Sequence, residues 1–335
     1  MEETGKSNQV ELKSLAELQQ IISEKITGFC ELNGDKEIFQ PVNYIMQLGG
    51  KRLRPALCLM ATNVFCDNID GAVHPALAIE VFHNFSLMHD DIMDRAPIRR
   101  GLPTVHKKWN DNVAILSGDA MMIQSYQLLM KTNPEVFPDV MHVFNEVAID
   151  VCEGQQLDMN FESRVSVSVA EYEEMIRLKT SVLLAGAMKI GAIIGGADSV
   201  AQKAMFDFGV ELGMSFQLWD DYLDAFGDGK LTGKLVGGDI LADKKTFLRL
   251  RCMELASEEE KKVLLANNSV NLNDPGSRVK SVVDLYSKLG VDEELKKEAE
   301  RRHQKALSIL NDLKVPVKRK MQLQLLAEQL LNRTN

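Results

Sequence analysis

Two aspartate clusters stand out in this 335-residue chain, Asp90-Asp91-Ile92-Met93-Asp94 and Asp220-Asp221-Tyr222-Leu223-Asp224. Each reads DDxxD and each follows an apolar run. On a helix, residues i and i+4 share a face with Cβ atoms about 5–6 Å apart, so Asp90 projects with Asp94 and Asp220 with Asp224. Asp91 and Asp221 point about 100° away. Like charges at that spacing repel by a few tenths of a kcal/mol, in order of magnitude. Two such clusters make sense if they hold cations. Oxygen-only ligands suit a hard ion, and Mg²⁺ takes one or two carboxylates together with water and substrate phosphates. The pair therefore predicts a Mg²⁺–diphosphate site built on two opposed helices. One DDxxD would read as an ordinary solvated helix end; two copies beside phosphate-type basic residues would not.

The basic residues fit the same chemistry. Gly49-Gly50-Lys51-Arg52-Leu53-Arg54-Pro55 places three cations in four residues, after glycines that allow close backbone approach. Arg99 and Arg100 follow the first cluster, and neighbouring guanidinium forks can serve two different diphosphates. Lys179-Thr180 lies inside an apolar helical run, where a lysine calls for an anionic partner. Lys234 and Lys244 lie on or beside a segment, 227–238, with five glycines in twelve residues, which reads as a lid. His83 precedes Asp90 by seven residues and shares its face. His89 and His106 read as core histidines.

The elements that must position these residues are helices. Hydrophobic content is 45%, aromatics are 6%, prolines number 9 and methionines 16, a balance that favours helix over sheet. Apolar spacing predicts helices over 15–30, 41–48, 56–65, 75–94, 116–131, 137–158, 170–195 and 200–226, with more beyond 244 around a highly charged middle. Pro97, Gly101 and Pro103 break the chain after the first cluster. No sustained strand alternation and no repeat of 20–50 residues is present. The expectation is one all-α domain over 1–335, with ten or more helices around a central cavity and a loose tail at 1–12.

Net charge is −9 and no basic tract stands out, which argues against nucleic acid as a partner. The five cysteines form no CxxC pair and no framework, as expected of reduced thiols in the cytoplasm. The polar, acidic N-terminus is no secretory signal, and the C-terminal LLNRTN lacks a prenylation box. The most apolar stretch, 182–197, carries Lys189 and four glycines and is too short to span a membrane.

The chain resembles the trans-isoprenyl diphosphate synthases of the polyprenyl synthetase family. The segments that carry the resemblance are GGKRLRP (49–55), HNFSLMHDDIMDRAPIRRGLPTVH (83–106), SGDAM (117–121), EGQQLD (153–158), RLKTSVLL (177–184), FQLWDDYLDAFGD (216–228) and the GK…GGD…DKKT loop (233–246), in the family's order. The resemblance implies the isoprenoid synthase fold, a homodimer, and head-to-tail condensation of isopentenyl diphosphate with an allylic diphosphate. It implies three Mg²⁺ ions, with Asp90, Asp94, Asp220 and Asp224 as ligands and Asp91 and Asp221 in support. Lys51, Arg54, His83 and Arg100 become the cradle for isopentenyl diphosphate. Arg99, Lys179, Lys234 and Lys244 become the grip on the allylic diphosphate, and Thr180 and Gln217 face the developing cation. The family's lid more often carries a second glycine-lysine pair where this chain has Asp243-Lys244-Lys245, so the inward-pointing lysine is open between Lys244 and Lys245.

Phe85 and Phe82 precede the first cluster by five and eight residues and share a helix face. Facing the tail cavity, they would limit product length. An aromatic five residues upstream resembles enzymes of short products. The absence of the bacterial farnesyl-type insertion and the presence of Ser86 lean towards geranylgeranyl diphosphate, with farnesyl diphosphate second. Two other functions compete. A class I terpene cyclase needs no second diphosphate site, against GGKRLRP and Arg99-Arg100. A non-catalytic subunit of a heteromeric prenyl synthase often loses one aspartate cluster, and both are intact here.

Overall fold

A computed structural model describes residues 12–227, 237–265 and 275–331. Among these residues the chain is helical almost throughout. The helices are α1 (Leu15–Asn33), α2 (Gln40–Gln47), α3 (Leu53–Phe65), α4 (Val73–Met93), α5 (Val105–Lys108), α6 (Asp111–Leu129), α7 (Phe137–Ser163), α8 (Val169–Ile176), α9 (Val182–Ile194) and α10 (Ser199–Phe226). There follow α11 (Gly238–Leu241), α12 (Phe247–Leu255), α13 (Glu258–Leu265), α14 (Pro275–Leu289), α15 (Val291–Asp312) and α16 (Val317–Leu331). The all-α expectation holds, and no described helix is long and apolar enough to cross a membrane. Two departures from the sequence reading matter. The breakers after the first cluster form a two-residue hairpin, Ile98–Arg99 (β1) against Leu102–Pro103 (β2). The helix expected over 170–195 is not continuous: a π-helical turn, Arg177–Ser181, separates α8 from α9.

The described chain divides into two compact units. The first comprises Met1–Asn145, Gly186–Phe206 and Leu313–Leu323. Its centre is α4, in which every residue from 75 to 82 is buried, as only a helix covered on all sides permits. Helix α1 starts on a capping box, with the Ser14 hydroxyl accepting from Glu17 N and the Glu17 carboxylate accepting from Ser14 N. Helix α3 packs tightly on α9: a Cβ at Gly191 would lie 2.1 Å from the Cys58 carbonyl oxygen, and the Thr62 hydroxyl donates to Gly191 O at 3.0 Å.

The second unit comprises Glu146–Ala185, Asp207–Asp312 and Gln324–Asn335. Its core gathers Phe161, Tyr172, Met214, Leu218, Phe247 and Tyr286. Glycines again set the closest approaches. A Cβ at Gly209 would lie 2.5 Å from Ala185 Cα, and one at Gly213 would lie 2.8 Å from Ser181 Cα. Arg302 ties three helices of this unit together through Glu173 (3.0 Å), Glu211 (3.4 Å) and Glu298 (2.8 Å).

Candidate active site

Both aspartate clusters close a helix. Asp90 and Asp91 lie in the last turn of α4, with Asp94 as its C-cap. Asp220, Asp221 and Asp224 lie in the last two turns of α10. A helix C-terminus carries roughly half a negative charge, and an anion placed there is disfavoured by about 0.3–1 kcal/mol. The dipoles therefore add to the repulsion within each cluster.

Within each motif the middle carboxylate is set apart. Asp91 is 2% exposed, and Arg99 grips it, with Nε 2.9 Å from both carboxylate oxygens and Nη2 2.7 Å from Oδ1. Burial raises the Asp91 pKa, against the opposing pull of Arg99. Burial works against the Arg99 charge, but Asp91, with Asp90 and Asp94, outweighs it and holds the guanidinium above its ordinary value. Asp221 is 5% exposed and has two protein donors, the Tyr172 hydroxyl on Oδ2 and Gln217 Nε2 on Oδ1 at 3.1 Å. Burial first, then the charges of Asp239 and Asp220, push the Asp221 carboxyl up to about 8, against its hydrogen bonds from Tyr172 and Gln217.

The first unit gathers the expected isopentenyl cradle. Gly49 and Gly50 turn with φ of 80° and 123°, and Arg52 caps α3 in the left-handed region at φ 45°. Arg52 is the correction to a simple reading of three phosphate ligands. It points inward, 2.5 Å from Glu80 Oε1 and 2.5 Å from Met46 O. Glu80 in turn accepts from Asn84 Nδ2 at 3.0 Å. Lys51 stays exposed on the turn. Arg54 Nη1 lies 3.2 Å from His83 Nε2; guanidinium only donates, so His83 accepts there and carries its proton on Nδ1. Burial brings Arg54 down to about 10, with Glu80 opposing. Burial and then the surrounding arginines, Arg54 first, hold His83 well below its usual range, so it is neutral.

The hairpin explains how adjacent arginines part company. Arg100 and Gly101 occupy its turn with φ of 53° and 78°, the left-handed pair of a tight two-residue hairpin. Arg99 turns to the aspartates, while Arg100 Nη1 donates to Gly49 O on the glycine turn. A Cβ at Gly50 would meet the Arg100 guanidinium at 2.9 Å, which is why glycine stands there. Thr104 Oγ1 to Ala96 O at 2.7 Å and the Tyr44 hydroxyl to Pro103 O at 2.7 Å pin the hairpin.

Phe82 and Phe85 lie together on α4 with ring centroids 5.4 Å apart. Phe82 is 1% exposed and packs edge-on against Phe144 of α7 at 5.3 Å. Phe85 keeps 9% exposure and meets His89 at 4.8 Å. His89 itself lies 3.2 Å from Ile115 O, in space that Gly118 leaves open, in keeping with its reading as a structural histidine.

The second unit holds a polar cavity of about 240 Å³, lined among others by Asp220, Asp224, Lys179, Thr180, Gln217 and Lys244. The π-turn presents Lys179 and Thr180 to it, and π-turns recur at functional sites. Helix α7 comes close enough to brace that turn only because residue 154 is glycine: a Cβ there would lie 2.3 Å from Lys179 N. From α7, Asp158 pairs with Lys179 at 2.6 Å. The Thr180 hydroxyl donates to Gln217 Oε1 at 3.3 Å. Asp224 accepts from Gly237 N on its carbonyl at 2.6 Å and from Asp239 N on Oδ2 at 2.9 Å, so Gly237-Gly238-Asp239 is fastened to the cluster's last aspartate. Lys244 and Lys245 both line the cavity; Lys245 donates to Phe161 O at 2.5 Å, and Lys244 is exposed. Lys234 lies outside the described residues.

Three further residues at these positions had no role in the sequence reading. Asp158 and Asp239 lay within the quoted EGQQLD and GGD segments without a role. Tyr172, 49 residues from Asp221, carried no local signal.

The donor set is all oxygen. Such donors suit an ion held by one or two carboxylates and completed by water and phosphate, as Mg²⁺ is. A di-iron bundle would instead use Glu-x-x-His pairs. Glu80–His83 and Glu300–His303 have that spacing, but Glu80 is committed to Arg52 and Asn84, and Glu300 is exposed while His303 is buried.

Comparison with known proteins adds four findings. The polyprenyl synthetase family model matches residues 35–286. A geranylgeranyl diphosphate synthase of Methanosarcina mazei is 41% identical over 221 residues, 65% of this chain and 68% of that one. A geranylfarnesyl diphosphate synthase of Aeropyrum pernix is 38% identical over 224 residues, 65% of this chain and 70% of the other. Among solved structures, a geranylgeranyl pyrophosphate synthase aligns with a TM-score of 0.90 at 41% identity, covering 96% of this chain and 100% of its own.

Proposed function

The chain belongs to the polyprenyl synthetase family and is a prenyltransferase, and we propose that it condenses isopentenyl diphosphate head-to-tail with an allylic diphosphate to make geranylgeranyl diphosphate. One observation carries the reading. Two helices end in the same aspartate motif, and each buries its middle carboxylate on a protein partner. The outer carboxylates then serve as ligands at the negative ends of two dipoles, where only cations relieve the charge.

The residues divide the work as follows. Asp90 with Asp94, and Asp220 with Asp224, would hold Mg²⁺, three ions in all. When bound, the ions would supply charge neutralisation that makes the diphosphate a better leaving group. Arg99, Lys179, Lys244 and Lys234 grip the allylic diphosphate. Lys51, Arg54, Arg100 and neutral His83 hold isopentenyl diphosphate. Arg99 and Arg100, turned to different partners, keep the two diphosphates apart. Thr180 and Gln217 offer oxygen lone pairs to the allylic cation. No side chain is assigned as general base; the departing diphosphate takes the proton.

Phe85, backed by Phe82 and Phe144, stops chain growth at twenty carbons. One relative is named for that length and the other for a product one isoprene unit longer. The protein works as a homodimer through the outer face of α6, where Ile115 (45% exposed), Leu116 (58%) and Ile123 (61%) form an apolar stripe. Five unpaired cysteines accord with the cytoplasm.

Incubation with labelled isopentenyl diphosphate, each allylic starter and Mg²⁺ tests the reaction. Label in an extended prenyl diphosphate is the expected result. Consumption of the allylic substrate without label would indicate a terpene cyclase, and no turnover a non-catalytic subunit.

A further inference from the structure

One hydrogen-bonded chain in the second unit goes deeper than the groups that face substrate. The Thr180 hydroxyl donates to Gln217 Oε1 at 3.3 Å. Gln217 Nε2 donates to Asp221 Oδ1 at 3.1 Å. The Tyr172 hydroxyl donates to the other oxygen of the same carboxylate, Oδ2. All four line the cavity; Thr180 and Gln217 are half-buried there, whereas Asp221 (5% exposed) and Tyr172 (2%) are nearly covered.

The direction of this chain has a chemical consequence. The Gln217 amide has two orientations related by a 180° flip. With its NH₂ towards Asp221, its carbonyl oxygen takes the Thr180 proton, and the remaining lone pairs of the Thr180 oxygen are left for the cavity. Flipped, the NH₂ would donate to Thr180, the Thr180 proton would swing outward, and the amide oxygen would oppose the Asp221 carboxylate. The first orientation presents negative charge to a developing carbocation; the second presents a positive hydrogen. Asp221 selects the first because its Oδ1 accepts from Gln217 Nε2, and the group keeps that oxygen turned to Gln217 only if its rotation about χ2 is restrained. Gln217 supplies one anchor. The hydroxyl of Tyr172, on the opposite oxygen, is the second.

We infer that Tyr172 is a positioning residue for the condensation: by fixing Asp221 it fixes the Gln217 amide and turns the Thr180 oxygen lone pairs towards the allylic cation. The inference rests on the reading above that Thr180 and Gln217 face that cation. Tyr172 touches no reacting atom. Its ring belongs to the core of the second unit beside Ile176, Met214 and Leu218, and only its hydroxyl serves the site.

Tyr172→Phe removes that hydroxyl and keeps the ring. With Mg²⁺ present, kcat should fall about tenfold, less than the hundredfold or more typical of deleting a direct electrostatic contact. KM for both diphosphates, and the calorimetric Kd of the allylic diphosphate, should stay within about twofold, since no diphosphate ligand moves. Because Tyr172 acts only through the Gln217 and Thr180 oxygens, Tyr172→Phe should cost nothing further once both are removed by Thr180→Val with Gln217→Leu. In a Thr180→Ser background, which keeps the hydroxyl, it should cost the same tenfold as in the parent. A Tyr172→Phe enzyme with unchanged kcat overturns the inference. So does a loss that multiplies with the Thr180→Val, Gln217→Leu pair, or one that appears in Kd rather than kcat. Should that pair itself leave kcat unchanged, the reading of Thr180 and Gln217 as cation-facing groups fails and takes the inference with it. If Tyr172→Phe does not accumulate as folded protein, Asp221→Asn cuts the same chain at its middle: kcat should fall in the parent and with Thr180→Ser but not with the Thr180→Val, Gln217→Leu pair, and an equal loss in all three overturns the inference.

Discussion

Glu80→Ala should destabilise the protein out of proportion to the volume it removes. The Arg52 and Glu80 side chains are 8% and 3% exposed and meet at 2.5 Å. Removing the carboxylate leaves a buried guanidinium held by the Met46 carbonyl, and takes one acceptor from Asn84. Breaking a buried pair from one side costs about 3–5 kcal/mol. The retained carbonyl contact points to the lower end, about 3 kcal/mol. At about 2–4 °C per kcal/mol for 150–250-residue domains, Tm should drop by roughly 6–12 °C. Removing both charges should cost much less, because replacing a buried pair by apolar groups is often neutral. Arg52→Met with Glu80→Leu should therefore recover at least ~2 kcal/mol relative to the sum of the single variants. Urea unfolding followed by circular dichroism measures the parent, the three single variants and the double variant. A Glu80→Ala cost below about 1 kcal/mol, or strict additivity in the cycle, would refute the view that this pair braces the glycine turn and leaves Lys51 and Arg54 to the phosphates.

Gly154→Ala would put a Cβ 2.3 Å from Lys179 N; overpacking should cost about 1–3 kcal/mol in urea unfolding, and displacement of Lys179 and Thr180 should lower kcat/KM at least tenfold, or up to about a hundredfold for a 1 Å shift. Phe85→Ala should lengthen the product, and Phe82→Ala with it should lengthen it further, as read by mass spectrometry of the prenyl chains; an unchanged distribution would remove both residues from length control. His83, held neutral well below the usual 6.5, refuses a proton that the unfolded chain takes up, so stability should fall as pH drops from 7 through about 6.5 towards 5. His83→Gln should flatten that slope, and an identical slope would refute the assignment. Lys244→Met should raise KM for the allylic diphosphate several-fold with little change in Tm, whereas Lys245→Met, losing the Phe161 carbonyl contact, should show mainly in Tm; the reverse pattern would exchange their roles.

Much of this was legible because it is local. An i, i+4 pair of aspartates, a glycine turn rich in cations and a run of helical apolar spacing each declare themselves within about seven residues. Helix α4 was placed from such spacing within two residues at its start. The inward turn of Arg52 was not legible, since composition cannot distinguish a phosphate ligand from a residue aimed at Glu80 28 positions away. The π-turn was hidden because one inserted residue barely disturbs a 3.6-residue pattern. Tyr172 and Asp158 serve partners 49 and 21 residues distant, and no periodicity records such contacts. The buried middle aspartates fall between these cases: helix geometry turned them away from their neighbours, but only packing shows that Arg99 holds one and Tyr172 the other.

The most direct test is the length of the product. The purified protein, given isopentenyl diphosphate, Mg²⁺ and in turn dimethylallyl, geranyl or farnesyl diphosphate, should yield one dominant prenyl diphosphate of twenty carbons from every starter it accepts, with none formed when Mg²⁺ is chelated. Turnover without Mg²⁺, or allylic diphosphate consumed without isopentenyl carbon in the product, would contradict the account.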